Sequence, residues 1–107
     1  MMSSLPKTPI SIESEKALLG SLIIDSESWE KISNIITPAD FYDSNNRDVF
    51  SEIYDLQIND QPLDILILEE SLKSRDKLLK IGGIEYLKEL AKTVPTSAHI
   101  IKYAEIV

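Results

Sequence analysis

The chain has 107 residues, 18 acidic and 11 basic side chains, a formal net charge of −7 and no cysteine. Such a length corresponds to one domain with a modest core, and the missing cysteines exclude a disulfide framework or a thiolate zinc site. The acidic balance argues against a nucleic-acid grip, whose affinity comes largely from Lys and Arg neutralising phosphates, so a protein partner is favoured over DNA.

No apolar run approaches the roughly 18 residues of a spanning helix, and MMSSLPKTPI has neither the apolar region nor the cleavage site of a signal peptide. Residues 1–10 read as a flexible lead and 11–107 as one helical domain of a soluble, cytoplasmic protein. Ser11 is placed as the first N-cap, with Glu13 and Glu15 in the opening turn, where carboxylates favour the positive helix end. Ile12, Glu15, Leu18, Leu19, Leu22 and Ile23 mark one side of that helix, with Ala17 and Gly20 small enough for close packing. After Asp25-Ser26, helical spacing continues through Trp29, Ile32, Ile35 and Ile36, and Trp29 is assigned to the core.

Thr37-Pro38-Ala39-Asp40 is a helix-start signal: a capping oxygen, a proline at the first position and an acid three residues on. The aromatics Phe41 and Tyr42 are expected to plug into the core. Asp43 or Ser44 opens a longer helix with Val49, Phe50, Ile53, Tyr54 and Leu56 as its buried stripe, ending at the turn residues Asn59-Asp60-Gln61-Pro62. Asp64 caps the next helix, DILILEESLKSR, with Ile65, Leu66, Leu68 and Leu72 inward. A buried strand over 63–68 is the alternative for that apolar run, but no partner strand is in sight. The basic cluster Lys73, Arg75, Lys77 and Lys80 reads as a complement to a helix C-terminus.

Gly82-Gly83 follows Leu78, Leu79 and Ile81 and reads as a helix C-cap and turn. A short helix then turns Ile84, Leu87, Leu90 and Ala91 inward, and Val94-Pro95 stops it, because a residue before proline is pushed out of the α region. Thr96 or Ser97 is expected to cap a last helix with Ile100, Ile101, Tyr103, Ala104 and Ile106, which still looks incomplete at Val107. The expected fold is all-α: a small compact bundle of about six helices with short loops.

A catalytic constellation is missing from the sequence. His99 is the sole histidine and reads as a solvent or capping residue. No serine sits in a G-x-S-x-G elbow, and no G-x-x-x-x-G-K-[ST] or G-x-G-x-x-G phosphate loop occurs. Asp55, Asp60 and Asp64 lack the spacing of a calcium loop. The pairs Glu13/Glu15 and Glu69/Glu70 read as solvated helix-surface acids. No cofactor is expected in this domain. Three surface residues stand out as partner-contact candidates. Tyr86 lies off its helix's inward stripe, where an exposed ring would suit docking; the plainer reading is a half-buried tyrosine with its hydroxyl in water. Glu13 is the second, and Tyr103, turned toward whatever chain would follow, is the third.

Three blocks, SIESEKALLGSLIID (11–25), ITPADFYDSNNRDVFSEIYDL (36–56) and IGGIEYLKELAKTVPTSAHIIKYAEIV (81–107), resemble in order and spacing the N-terminal domain of bacterial replicative DnaB-type helicases. The likeness extends over about residues 9–107. It implies a collar on a hexameric ring built by pairing with copies of itself, recruitment of primase through that enzyme's C-terminal domain, and in some species engagement of a loader. It places ATP, Mg2+ and DNA translocation in a separate motor domain that carries the P-loop. It also implies a helical hairpin beginning near Val107 that supplies much of the collar pairing, so this stretch by itself is not expected to self-associate strongly. Against this interaction module stand a generic helical adaptor and a small carboxylate-based ligand-binding bundle; the latter's E-x-x-H pattern is absent. A DNA-binding helix-turn-helix is opposed by the net charge.

Overall fold

The computed structural model describes residues 9–107, with side chains from Ile12 onward. Among these residues the chain forms seven α-helices and two short 3-10 turns, with no strand. Most of the lead expected over 1–10 lies outside the described residues.

Helix α1 spans Pro9–Ile24 and packs against four of the other elements. It begins before Ser11, so Ser11 is inside the helix rather than capping it, and Glu13 and Glu15 fall beyond its first turn. Pro9 explains the earlier start, since its φ is preset and its missing N–H would have no intrahelical partner there. Leu18, Leu19 and Leu22 are fully buried along its inward side. Gly20 faces the backbone of a later helix so closely that a Cβ at this position would overlap the Leu90 carbonyl oxygen.

A 3-10 turn at Ser26–Ser28 leads into α2, Trp29–Ile32, a single turn. The longer helix expected here ends at Ile32 and passes into a turn over 33–35, and Thr37, before Pro38, is extended at φ −129° and ψ 165°. Ile32 and Ile36 still reach the core, while Ile35 is 45% exposed. The capping box is present: the Thr37 N–H donates to Asp40 Oδ2 at 2.8 Å. Of the two aromatics that follow, Phe41 is buried and stacks on Phe50 with ring centroids 4.8 Å apart. Tyr42 is 54% exposed and does not enter the core.

Helix α3, Ser44–Ile58, is capped by Asp43, whose carboxylate accepts from the Asn46 N–H at 3.0 Å. Its buried stripe is Val49, Phe50 and Ile53, with Tyr54 and Leu56 partly covered. Trp29 packs on Phe50 and edge-on to Tyr54. Helix α4, Ile65–Ser74, is capped by Asp64 through the Ile67 N–H at 2.8 Å, which resolves the helix-or-strand alternative. Leu68 and Leu72 are buried, whereas Leu66 points outward.

Helix α5 is the single turn Leu78–Ile81, closed by Gly82 at φ 111°, a left-handed conformation that a side chain would strain. Helix α6 then runs Gly83–Ala91, with Leu87 and Leu90 buried. Helix α7, Ile100–Ile106, starts later than a cap at Thr96 or Ser97 would place it. The Ser97 hydroxyl is occupied elsewhere, donating to Asp25 Oδ2 at 2.7 Å and tying the loop to the end of α1. His99 precedes α7 without a side-chain capping bond.

The basic cluster does more than complement a helix dipole. Arg75 Nε lies 2.9 Å from Glu52, and Lys77 and Lys80 lie 3.3 Å and 2.5 Å from the two oxygens of Asp48. Three cations after α4 therefore fasten that segment onto the acids of α3. The Cα radius of gyration, 13.0 Å, is that of a compact domain of about 100 residues.

Candidate functional site

Glu15 lies on the same side of α1 as Leu18, Leu19 and Leu22, and it is fully buried. Its inward neighbour is not apolar but the start of α3. Glu15 Oε2 accepts from the Tyr42 N–H at 2.6 Å, and Oε1 accepts from the Asp43 N–H at 3.3 Å and from Asn46 Nδ2 at 2.9 Å. A buried carboxylate is tolerated when charge-assisted hydrogen bonds replace its water, and a helix N-terminus adds a favourable potential. Glu15 is thus a structural acid, and its reading as a solvated partner of Glu13 is corrected.

Asn46, also fully buried, accepts at Oδ1 from the Tyr86 hydroxyl. Tyr86 is half-buried, and its hydroxyl is held by protein rather than by water. Burial pushes its phenol pKa well above the usual 10.0, and the carboxylates of Asp43, Glu89 and Glu15 push the same way. The phenol is therefore a fixed neutral donor. The chain Glu15–Asn46–Tyr86 joins α1, α3 and α6 through the interior.

Lys16, next along α1, turns outward. Its Nζ is 2.5 Å from Glu89 Oε2 and 5.9 Å from the centroid of the Tyr86 ring. On its other side Lys16 lines a groove of about 440 Å³ together with Glu13, Ala17, Thr93, Val94 and Tyr103. Glu13 is exposed and has no ion-pair partner among the described residues, and Tyr103 is half-buried at the groove wall. The three sequence candidates thus come together around Lys16: Tyr86 under its ammonium, Glu13 and Tyr103 in the adjoining groove.

Lys16, Asn46 and the burial of Glu15 were not anticipated from sequence. Glu15 had one signal, its place in the i, i+3, i+4, i+7 series with Leu18, Leu19 and Leu22. Asn46 had none, because its partners come from residues 15 and 86. The site offers two carboxylates, Glu13 and the Lys16-paired Glu89, one ammonium and two phenol rings, groups suited to holding another surface by hydrogen bonds, charge and aromatic area. No cluster of three or more potential metal-ligating side chains occurs among the described residues, and none of their helices is long and apolar enough to cross a membrane.

Known proteins show where this architecture recurs. The chain is 40% identical over 106 residues to the replicative DNA helicase DnaB of Buchnera aphidicola subsp. Baizongia pistaciae, covering 99% of this chain and 23% of that protein. It is 36% identical over 99 residues to replicative DNA helicase DnaB of Geobacillus stearothermophilus, covering 92% and 22%. The chain therefore spans under a quarter of the length of these relatives. The crystal structure of the N-terminal domain of DnaB helicase from Mycobacterium tuberculosis superimposes with a TM-score of 0.88 at 30% identity, over 95% of this chain and 69% of that one. Residues 7–107 match the model of the DnaB-like helicase N terminal domain, and the chain belongs to that family.

Proposed function

We propose that this domain is the non-catalytic assembly and docking module of a replicative helicase. It pairs with copies of itself in the collar of a hexameric ring and receives the C-terminal helicase-binding domain of primase, and in species with a loader it helps engage that protein. Unwinding of DNA, with ATP and Mg2+, belongs to a separate motor domain, because this chain carries no P-loop. The observation supporting the docking role is the cluster about Lys16, where exposed Glu13 and the half-buried rings of Tyr86 and Tyr103, drawn from α1, α6 and α7, gather beside a surface groove. Tyrosines beside an apolar floor with a charged rim are the composition of a protein-binding surface.

The test is calorimetric titration of the domain with the primase C-terminal domain. Saturable binding is expected, weakened about tenfold or more by Glu13→Lys or Tyr103→Ala, the scale of an interface hot spot. Tyr86→Phe serves as the third variant, because it keeps the ring in place and removes only the hydroxyl bonded to Asn46, whereas Tyr86→Ala would also empty the ring's place in the fold. No binding, or binding indifferent to all three variants, removes the docking role from this face. A titration with single-stranded DNA at low salt should stay flat; a strong salt-dependent response would return DNA to the reading.

A further inference from the structure

The groove beside Lys16 contains a polar group that the fold leaves unused. Ser14 lines it and is only 7% exposed, yet its hydroxyl makes no hydrogen bond among the described residues. No buried side-chain oxygen or nitrogen among these residues is closed off without a partner, so the Ser14 hydroxyl opens into the groove. Buried polar groups in folded proteins are normally paired, and the groove is the side from which a partner for Ser14 can come. Thr93, in the same wall, donates its hydroxyl proton to the Glu89 carbonyl at 3.1 Å, which leaves its oxygen able to accept. Ala17 and Val94, both buried, form the apolar floor. The charges are unequal. Lys16 is committed to Glu89, whereas Glu13 makes no ion pair among the described residues, and neither Lys92 nor Lys102 lines the groove. Among the described residues, the uncommitted charge here is negative.

We propose that this groove takes an extended segment of a partner protein with an aliphatic residue and, two positions along, a lysine or arginine. The aliphatic side chain covers Ala17 and Val94, and the cation meets the Glu13 carboxylate and the face of the Tyr103 ring. The spacing fits. Glu13 and Ala17 are four residues apart on α1, a rise of about 6 Å, and alternate residues of an extended chain lie about 7 Å apart on one side of it. The backbone between them offers N–H donors and carbonyl acceptors, which match the oxygen of Thr93 and the hydroxyl proton of Ser14. The groove, at about 440 Å³, has the size of a small-ligand site, about 300–1,000 Å³, so it holds a few residues of chain rather than a folded body. The net charge of −7 draws a cationic segment toward the domain and repels an acidic one. The proposal rests on the docking function given above and assigns that docking a chemistry, namely the sign of the partner's charge and the anchor beside it.

Amide NMR spectra of the chain, titrated with the peptide acetyl-Gly-Leu-Gly-Lys-Gly-amide, test it. Saturable shifts at millimolar peptide are expected at the amides of Ser14, Ala17, Thr93 and Val94. Replacing the peptide's lysine by glutamate should weaken binding about tenfold or more, and Glu13→Lys in the domain should reverse that preference. Ser14→Ala should weaken binding about three- to tenfold, the scale of one hydrogen bond. Its melting temperature should be unchanged or raised, because the hydroxyl has no partner in the fold and alanine is the better helix former. Equal binding of the lysine and glutamate peptides overturns the proposal, as does an affinity indifferent to Ser14→Ala and Glu13→Lys. A peptide with glycine in place of leucine that binds as tightly assigns the groove to a small cation, which also overturns it. Titration with the primase C-terminal domain separates this inference from the docking function. Binding there with the peptide silent overturns the groove chemistry and leaves docking standing, whereas silence in both removes docking as well.

Discussion

Helix α3 is fastened to the rest of the domain in two places by different physics. At its N-terminus the fully buried Glu15 binds two backbone N–H groups and Asn46, and Asn46 in turn holds Tyr86. Along its outer side Asp48, Glu52 and Asp55 take cations from the segment after α4, and those cations are about half exposed. The first junction is dry, so removing one member strands the others without water. The second is wetter, because its cations and Asp55 face solvent although Glu52 is buried, so a lost cation is largely replaced by solvent and salt competes with what remains. Buried polar connections should therefore dominate stability here although each junction has four contacts.

Substitutions grade this contrast. Glu15→Ala leaves two N–H groups and the Asn46 amide unpaired in the interior and should cost about 3 kcal/mol or more. At about 4–8 °C per kcal/mol for a domain of this size, that loss is plain in a thermal melt. Gly20→Ala presses a methyl into the Leu90 carbonyl where α1 crosses α6, and should cost about 1–3 kcal/mol, read from urea unfolding. Tyr86→Phe keeps the ring but removes the donor to Asn46, and should cost about 1 kcal/mol.

Tyr86 also predicts a pH dependence. Its folded pKa lies above the unfolded 10.0, so its contribution is complete below pH 10 and is lost as pH rises through the folded value. Alkaline melts should therefore fall less steeply in Tyr86→Phe than in the parent chain; identical slopes would show that the phenol does not titrate against the fold.

The smallest effect belongs to the outer side. Partial burial works against the ionised form of Asp48, but hydrogen bonds and charge from Lys80 and Lys77 outweigh it and lower its pKa below 3.8. Its contribution is present above that value and fades as pH falls through the lowered one. Asp48→Asn should cost less than about 1 kcal/mol, with most of the difference abolished by salt. A loss in Asp48→Asn equal to that in Glu15→Ala would break the dry-versus-wet distinction.

Much of the fold was legible, and most of the burial errors share one cause. Asp43, Asp64 and the Thr37–Asp40 box act where their sequence places them, because a cap acts over three residues. The double glycine closes α5 as expected, with Gly82 left-handed. The inward stripes of α3 and α6 also hold. Misplaced residues are those whose neighbours decide their surroundings: Tyr42, Leu66 and Ile35 were set toward the core but face outward. Periodicity identifies a face; it does not say where the cover over that face ends. The candidate site was read only in part. Glu13, Tyr86 and Tyr103 could be singled out one at a time, but Lys16, around which they gather, had no mark of its own in the sequence.

The amino-acid sequence by itself determined the all-α class, the caps at Thr37, Asp43 and Asp64, the breaks at Pro38, Gly82 and Pro95, and the family, because each rests on neighbours in the chain or on the order of residues along it. Only the tertiary structure decided that Glu15 is an interior acid, that Tyr86 is anchored through Asn46, and that Leu79 is left uncovered. Those outcomes depend on groups 27, 31 and 40 residues apart arriving within hydrogen-bond distance, or on no such group arriving at all. Whether a carboxylate meets water or a helix N-terminus is a property of that packing, and no local pattern encodes it.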